Sequence, residues 1–367
     1  MASDEFIPAA KPIIGDDERA AVDRVMRSGM VAQGPEVAAF EAEFAEAMVG
    51  GRASVAVNSG TSGLHLGLLA AGIGSGDEVI VPSFTFAATG NSVALTGATP
   101  VFVDIEPDQF TLDPAAVEAA ITPRTRGIMP VHLYGHPARM NELTALGEKH
   151  DVQVFEDAAQ AHAAELDGRR VGTFGAFAMF SLYPTKNMTS GEGGMVSCAT
   201  PELVRKVKLL RNQGMERQYE IEVVGFNARM TDIHAAIGRV QLTKVMDWTA
   251  QRQANAAFLD ANLEGVVVPP VAGGAVHVYH QYTIRVAEDR DGFVAALKNE
   301  HNVGSGVYYP IPNHRLPSLT PYAPGLDLPE TERAAREVVS LPVHPSLTRN
   351  DLDRIVSAVN AVAGAGA

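Results

Sequence analysis

The sequence contains a single cysteine, Cys198, so no disulfide can form within the chain. Its covalent chemistry therefore requires no oxidising compartment, and we expect a cytoplasmic protein. No apolar run has the length of a signal peptide at the start or of a membrane-spanning helix elsewhere, so neither secretion nor membrane insertion is expected.

Basic residues are also scarce. The chain carries 29 Lys and Arg against 43 Asp and Glu, a formal charge of -14. This excess of negative charge argues against nucleic acid or an anionic membrane as a partner. Any anionic ligand must therefore be held by local hydrogen-bond donors.

Short apolar segments alternate with segments of helical periodicity from about residue 53, which predicts an α/β fold with a mostly parallel sheet. The predicted strands are 53–57, 78–84, 99–105, 127–135, 152–157, 175–182 and 194–200. The predicted helices between them are 62–71, 86–95, 113–120, 141–150 and 201–212.

At 367 residues the chain exceeds the usual size of one compact domain. We predict a large domain at 1–245, with an N-terminal arm, and a smaller C-terminal α+β domain at 246–367.

Ligands of an open parallel sheet gather at the carboxyl ends of its strands, and three strand ends of this chain are unusual. The first predicted strand is followed by Asn58-Ser59-Gly60-Thr61-Ser62-Gly63. Glycines expose the backbone there and hydroxyls cap a helix, so the turn can present several N–H donors to a phosphate. An ordinary Ser-capped turn is the alternative. No Gly-x-Gly-x-x-Gly follows a strand, and no P-loop motif occurs.

The other two strand ends carry an acid and an amine. Asp157 ends a strand, where its carboxylate can keep a pyridine nitrogen protonated; capping a turn is the alternative. Lys186 lies in a tight loop between two buried strands, where its amine can lose a proton and condense with an aldehyde. A solvated surface lysine is the alternative. One cofactor requires the phosphate turn, the carboxylate and the amine together: pyridoxal 5'-phosphate (PLP).

With those residues established, the sequence resembles the DegT/DnrJ/EryC1/StrS group of PLP-dependent sugar aminotransferases over nearly the whole chain. The resemblance is carried by NSGTSGL, PSFTF, EDAAQAH, SLYPTKNMTSGEGG and GFNARMTDIHAAIGRVQL, with weaker support from YYPIP and SLPVHP. It implies an aspartate-aminotransferase-like fold, PLP fold type I, and pyridoxamine 5'-phosphate as an intermediate cofactor form.

The resemblance also implies a role for individual residues. Lys186 and Asp157 would be catalytic, with Lys186 bound to PLP as a Schiff base and Asp157 paired with the ring nitrogen. Further cofactor contacts are implied for Gly60, Thr61, Ser62, Phe86, Gln160, Ser181 and, from the neighbouring subunit of a homodimer, Asn227.

Substrate contacts are implied for Arg229, Tyr308 and His314, with a salt bridge as the alternative for Arg229 and a packing role as the alternative for His314. Tyr308 replaces a histidine that many relatives have at this position. Ala228 and Gln213 also depart from common family residues, and these differences leave the sugar and the aminated carbon open.

We therefore expect a ping-pong transfer of an amino group from glutamate or glutamine to a keto group of a nucleotide-activated deoxysugar. Two alternatives remain: a transaminase that acts on a cyclitol or another non-nucleotide ketone, and a regulatory relative without turnover. A metal enzyme using His132 and His136 is disfavoured, because this pair does not lie on one helical face. No metal is expected.

Overall fold

A computed structural model describes residues 5–365. Residues 1–4 of the predicted large domain and residues 366–367 of the predicted small domain lie outside the described residues. The helices are α1 Asp16–Ser28, α2 Pro35–Val49, α3 Gly60–Ala70, α4 Ala88–Leu95, α5 Pro114–Ala120, α6 Met140–His150, α7 Pro201–Arg211, α8 Asp232–Asn262, α9 Arg290–His301, α10 Pro329–Glu337 and α11 Arg349–Ala365. The strands are β1 Ser54–Val57, β2 Glu78–Pro82, β3 Thr99–Val103, β4 Thr125–Ile128, β5 Gln153–Asp157, β6 Glu165–Leu166, β7 Arg169–Arg170, β8 Phe177–Ser181, β9 Gly194–Cys198, β10 Met215–Arg217, β11 Glu220–Ile221, β12 Ala275–Val276, β13 Tyr282–Arg285 and β14 Val338–Leu341.

Seven strands form the central sheet in the order β1-β9-β8-β5-β4-β2-β3. All neighbours are parallel except β9, which runs antiparallel to both β1 and β8. The predicted α/β class and the mostly parallel sheet are confirmed. These strands are buried along nearly their whole length, because helices cover both faces of the sheet.

The strand register determines which loops meet. Val57, the last residue of β1, pairs with Gly194, and Ser181, the last residue of β8, pairs with the same glycine. Asp157 ends β5 beside Met179 of β8. The three strand ends singled out in the sequence therefore lie at one edge of the sheet, next to the start of β9.

Helix α3 lies unusually close to β8. A Cβ atom at Gly63 would lie 2.7 Å from Met179 Cγ, and one at Gly67 would lie 2.6 Å from Phe177 Cε2. Any larger residue would clash there, so glycine allows the helix to pack directly on the strand. This packing places the N-terminus of α3 beside the end of β8.

The C-terminal part of the chain has its own core, formed around β13, β14, α9 and α11 and including Ala256 and Leu259 of α8. Ile7 of the N-terminal arm is buried in this core and bridges to Val303. Helix α8 runs without interruption through residue 245, so the predicted domain boundary falls inside a helix and remains a prediction.

Within residues 5–365, no helix combines the length and the apolar character needed to cross a bilayer.

Candidate active site

A cavity of about 560 Å³ opens at the carboxyl edge of the central sheet. Among the predicted site residues, those lining it are Gly60, Thr61, Phe86, Asp157, Gln160, Ser181, Lys186 and Tyr308. The predicted site residues outside its lining are Ser62, Asn227, Arg229 and His314. The structure thus brings the amine, the carboxylate and the glycine-rich turn into one cavity.

The N-terminus of α3 forms one end of this cavity. Ser59 caps the helix: its Oγ accepts a hydrogen bond from Ser62 N at 3.1 Å and lies 3.0 Å from Ser62 Oγ. Within residues 5–365, the backbone N–H groups of Gly60 and Thr61 have no hydrogen-bond acceptor. Together with the helix dipole, these free donors fit a phosphate monoester.

Asp157 is held by two donors. Thr89 Oγ1 donates to Asp157 Oδ2 at 2.8 Å, and Ala159 N donates to Asp157 Oδ1 at 3.2 Å. Burial raises the pKa of Asp157, while the bonds from Thr89 and Ala159 and the charge of Lys186 act in the opposite direction. A cationic ring nitrogen placed against this carboxylate would further favour its ionised form.

The Lys186 amine lies in desolvated surroundings. Burial lowers the pKa of Lys186 to about 8, although the Asp157 carboxylate acts to raise it. At pH 7 roughly one amine in ten is then uncharged, which is sufficient for attack on an aldehyde. A lowered pKa of this kind fits the reactivity that the loop position of Lys186 leads us to expect.

An aromatic surface borders the cavity. Phe86 is 60% exposed, and its ring centroid lies 6.0 Å from that of Tyr309. Gln160 accepts a hydrogen bond from Tyr134 N at 2.7 Å and donates one to the Tyr309 hydroxyl at 3.1 Å. The open face of Phe86 can therefore stack on a planar ring, and Gln160 has a fixed orientation beside it.

Sequence reasoning missed several residues of this site. Tyr309 and His280 line the cavity but come from the C-terminal part of the chain, and Thr89 holds Asp157 from α4. The YYPIP motif could have indicated Tyr309, because it stands beside the predicted Tyr308. No local pattern indicates His280.

His314 is buried outside the cavity. Its Nδ1 lies 2.6 Å from Ser83 Oγ, its backbone N–H donates to the same oxygen at 3.0 Å, and its Nε2 lies 3.0 Å from Glu332 Oε1. These contacts hold the loop that leads from Ser83 to Phe86. These contacts fit the packing role that the sequence left open as an alternative for His314.

Two further predicted residues lie on the surface region that precedes α8. Arg229 Nη1 donates to Asn212 Oδ1 at 2.7 Å, so an amide oxygen of the same chain holds its guanidinium. Asn227 is exposed and follows a segment rich in exposed apolar side chains. Neither residue contributes to the cavity of its own chain.

The histidines weighed as metal ligands have protein partners. His132 Nε2 lies 3.2 Å from Glu156 Oε2, and Ala138 N donates to His132 Nδ1 at 3.0 Å. His136 Nδ1 lies 2.7 Å from the carbonyl oxygen of Pro137. Across residues 5–365 no group of three or more His, Cys, Asp or Glu side chains has a metal-binding arrangement.

The sequence model of the DegT/DnrJ/EryC1/StrS aminotransferase family matches residues 12–360. The chain belongs to this family. One relative is the dTDP-3-amino-3,4,6-trideoxy-alpha-D-glucose transaminase of Streptomyces venezuelae. The two sequences are 44% identical over 345 residues, which cover 93% of this chain and 90% of the relative.

Solved structures of the DegT/DnrJ/EryC1/StrS type superimpose closely. The crystal structure of S. venezuelae DesV in complex with a ketimine intermediate has a TM-score of 0.91 and 43% identity, and the match covers 95% of this chain and 94% of that one. The PLP form of the putative sugar aminotransferase Spr1654 from Streptococcus pneumoniae has a TM-score of 0.92 and 27% identity, with 98% and 99% covered.

Proposed function

We propose that this protein is a PLP-dependent aminotransferase that moves an amino group from glutamate or glutamine to a keto group of a nucleotide-activated deoxysugar. One observation carries the proposal: the Lys186 amine, the Asp157 carboxylate and the free N–H groups of α3 share one cavity. The similarity to the S. venezuelae dTDP-sugar transaminase supports the substrate class.

The cavity fits PLP group by group. Gly60 and Thr61 would bind the phosphate through their backbone N–H groups, with help from the Ser181 hydroxyl at the end of β8. Ser62 acts through Ser59, which it orients at the cap. Phe86 would stack on the ring, and Gln160 would lie near the ring hydroxyl.

Bound PLP supplies an aldehyde that captures amino groups and a protonated ring that withdraws electrons from the carbon being deprotonated. Asp157 would keep the ring nitrogen protonated, because its carboxylate favours the cation. Lys186 Nζ would take up the proton of the donor's α carbon and carry it to the bound cofactor. In the second half-reaction the same amine would carry a proton to the sugar carbon that receives the amino group.

The substrate would bind at the open end of the cavity. Tyr308 lines this region, and Arg229 is our candidate for holding a negative group of the substrate in the neighbouring subunit's site. We retain no substrate contact for His314, since its ring is engaged by Ser83 and Glu332.

The active enzyme is proposed to be a homodimer with shared active sites, in which Asn227 reaches the phosphate bound by the partner subunit. Exposed apolar residues precede Asn227 in each chain: Tyr219 is 84% exposed, Ile221 68% and Val224 89%. An apolar surface of this kind is typical of a protein interface.

The lone buried cysteine supports a cytoplasmic location, since the fold depends on no disulfide.

The shared site can be tested by complementation between Lys186→Ala and Asn227→Asp. Each variant alone should be nearly inactive, because one lacks the amine and the other repels the phosphate. A 1:1 mixture after subunit exchange should regain about a quarter of the wild-type activity, because half of its dimers are mixed and each mixed dimer carries one intact site of two. Differently tagged copies of the two variants confirm that subunits have exchanged. If activity does not recover after this exchange, Asn227 does not act in the site of the partner subunit.

Function itself is tested with purified holoenzyme and each donor separately. Glutamate or glutamine should bleach the visible band of the cofactor and release the corresponding keto acid, and a nucleotide-linked keto sugar should then restore the band. A cyclitol ketone in the second step discriminates the alternative substrate class. Absence of keto acid with both donors would contradict the proposed function.

A further inference from the structure

Tyr309 is a residue of the active-site cavity whose hydroxyl hydrogen has no acceptor in the protein. The hydroxyl oxygen accepts a hydrogen bond from Gln160 Nε2 at 3.1 Å, and within residues 5–365 the hydroxyl makes no other hydrogen bond. Tyr309 lines the cavity together with Asp157 and Lys186. A phenolic hydroxyl has one hydrogen to donate, so this hydrogen is available to a ligand in the cavity.

The direction of the bond between Gln160 and Tyr309 follows from the other end of the amide. Tyr134 N donates to Gln160 Oε1 at 2.7 Å. A backbone N–H can only donate, so the amide atom that faces it is the oxygen and the atom that faces Tyr309 is the nitrogen. The amide nitrogen donates, and the Tyr309 oxygen is therefore the acceptor. Its own hydrogen is not used in this bond.

The surroundings also fix the place of the Tyr309 hydroxyl. The buried hydroxyl of Tyr134 donates to the carbonyl oxygen of Tyr308, which holds the backbone just before Tyr309. The Tyr309 ring packs edge to face with the buried ring of Phe84, with 6.5 Å between the centroids. Backbone and ring together keep the hydroxyl beside Gln160.

The hydroxyl keeps its hydrogen at neutral pH. Burial raises the pKa of Tyr309; the bond from Gln160 acts to lower this pKa, and the Asp157 carboxylate acts to raise it further. Tyr309 is thus a hydrogen-bond donor rather than a base.

The placement of this donor indicates which ligand atom it serves. The ring of PLP would stack on Phe86, whose centroid lies 6.0 Å from that of Tyr309, with its nitrogen against Asp157 and its oxygen near Gln160. That ring oxygen is anionic beside a Schiff base to Lys186. An anionic oxygen in a buried site requires hydrogen-bond donors.

We propose that Tyr309 donates its hydroxyl hydrogen to the ring oxygen of bound PLP, where it acts together with Gln160, whose amide nitrogen has a second hydrogen. This inference rests on the cofactor binding that the proposed function requires. The ring oxygen has its full negative charge only while the Schiff-base nitrogen lacks a proton, because a protonated nitrogen shares its hydrogen with this oxygen. Tyr309 therefore favours the unprotonated Schiff base.

The test titrates the holoenzyme with pH and follows the visible absorption band, which reports the protonation of the Schiff-base nitrogen. In Tyr309→Phe the pKa of this nitrogen should rise by about one to two pH units, the effect of one hydrogen bond to a charged group. Above that pKa, the dissociation constant of PLP should increase roughly 10- to 100-fold, which equilibrium dialysis measures. Phenylalanine keeps the ring that packs on Phe84.

Tyr308→Phe is the matched control, because Tyr308 lines the same cavity but its hydroxyl is not the one that Gln160 contacts. It should retain the wild-type pKa of the Schiff base. An unchanged pKa in Tyr309→Phe would overturn the inference, even if KM for the keto sugar rises, and so would an equal rise in both variants. Complete loss of cofactor binding from Tyr309→Phe at millimolar PLP would also overturn it, because one hydrogen bond contributes far less.

The titration requires no turnover, so it separates this inference from the proposed function. A wild-type enzyme that shows the titrating band but releases no keto acid with either donor would overturn the proposed function alone.

Discussion

Thr89 Oγ1 donates a hydrogen bond to Asp157 Oδ2 at 2.8 Å, and both side chains are buried. This bond opposes the effect of burial, which raises the pKa of the carboxyl. Thr89 thus helps to keep charged the group that would face the ring nitrogen of PLP. The position lies in α4, one turn after Phe86, so one short segment supplies both the stacking ring and the support for Asp157.

Replacing Thr89 by valine should weaken the charged form of Asp157, because the carboxylate loses a donor without any change in side-chain shape. We expect a roughly tenfold slower glutamate half-reaction at neutral pH, the effect of about 1.4 kcal/mol. Stopped-flow absorbance measures it. Thr89→Ser keeps the hydroxyl and should retain the rate; equal rates in the valine and serine variants would contradict this role.

The lowered pKa of Lys186, to about 8, predicts a pH-dependent stability of the cofactor-free protein. Between about pH 8 and 10.5 the unfolded chain holds more protons on this lysine than the folded one, so its contribution to stability rises with pH in that window. Below it, the buried charge destabilises the fold by roughly 3 kcal/mol.

Lys186→Met should therefore be more stable than the wild-type apoprotein at pH 7, and the difference should shrink as the pH rises towards 10. Urea unfolding of both proteins across this range measures it, and titrating groups that do not interact with Lys186 cancel in the comparison. A difference that is constant with pH would show that the amine is not desolvated as described.

His314→Leu should affect stability rather than substrate binding. The change removes the imidazole bonds to the buried Ser83 hydroxyl and to the partly exposed Glu332, which keeps Arg315, at a cost of about 1–3 kcal/mol. Thermal unfolding should show the loss, while KM for the keto sugar stays near the wild-type value. Arg315→Leu, which removes an exposed ion pair with the same glutamate, should cost less than about 1 kcal/mol. A large increase in KM without loss of stability would restore His314 as a substrate contact.

The exposed apolar segment before Asn227 should lie in the dimer interface. Val224→Asp places a charge on this surface and should weaken dimerisation at least about tenfold, which light scattering on dilution measures. Val267→Asp is the control, since Val267 is 61% exposed in the C-terminal part of the chain. Unchanged dissociation of Val224→Asp would place the interface elsewhere.

Much of the central sheet could be predicted from the sequence. Uniformly apolar runs bounded by capping residues gave strand ends within about three residues, except at 127–135, where the strand ends at Ile128 and a turn follows. The direction of β9 could not be read, because a buried strand has the same composition in either direction. The helices before β1 were missed because the alternation that guided the reading begins only at residue 53.

The residues of the site likewise fall into those that the sequence could predict and those that it could not. Asp157 ends a strand, and the turn at Gly60 and the loop of Lys186 follow strands, so the sheet topology alone predicts that they meet. Tyr309 and His280 reach the cavity through contacts between distant parts of the chain, which no local pattern records. Asn227 and Arg229 lie outside the cavity of their own chain, and the roles proposed for them depend on a second subunit.

The central claim is that Lys186 is the residue that bonds to PLP. Holoenzyme is reduced with borohydride, digested and examined by mass spectrometry, with Lys186→Ala as the control. We expect a phosphopyridoxyl group on the peptide that contains Lys186, and no labelled peptide from the variant. Labelling of another lysine in the wild-type enzyme, with Lys186 unmodified, would contradict it.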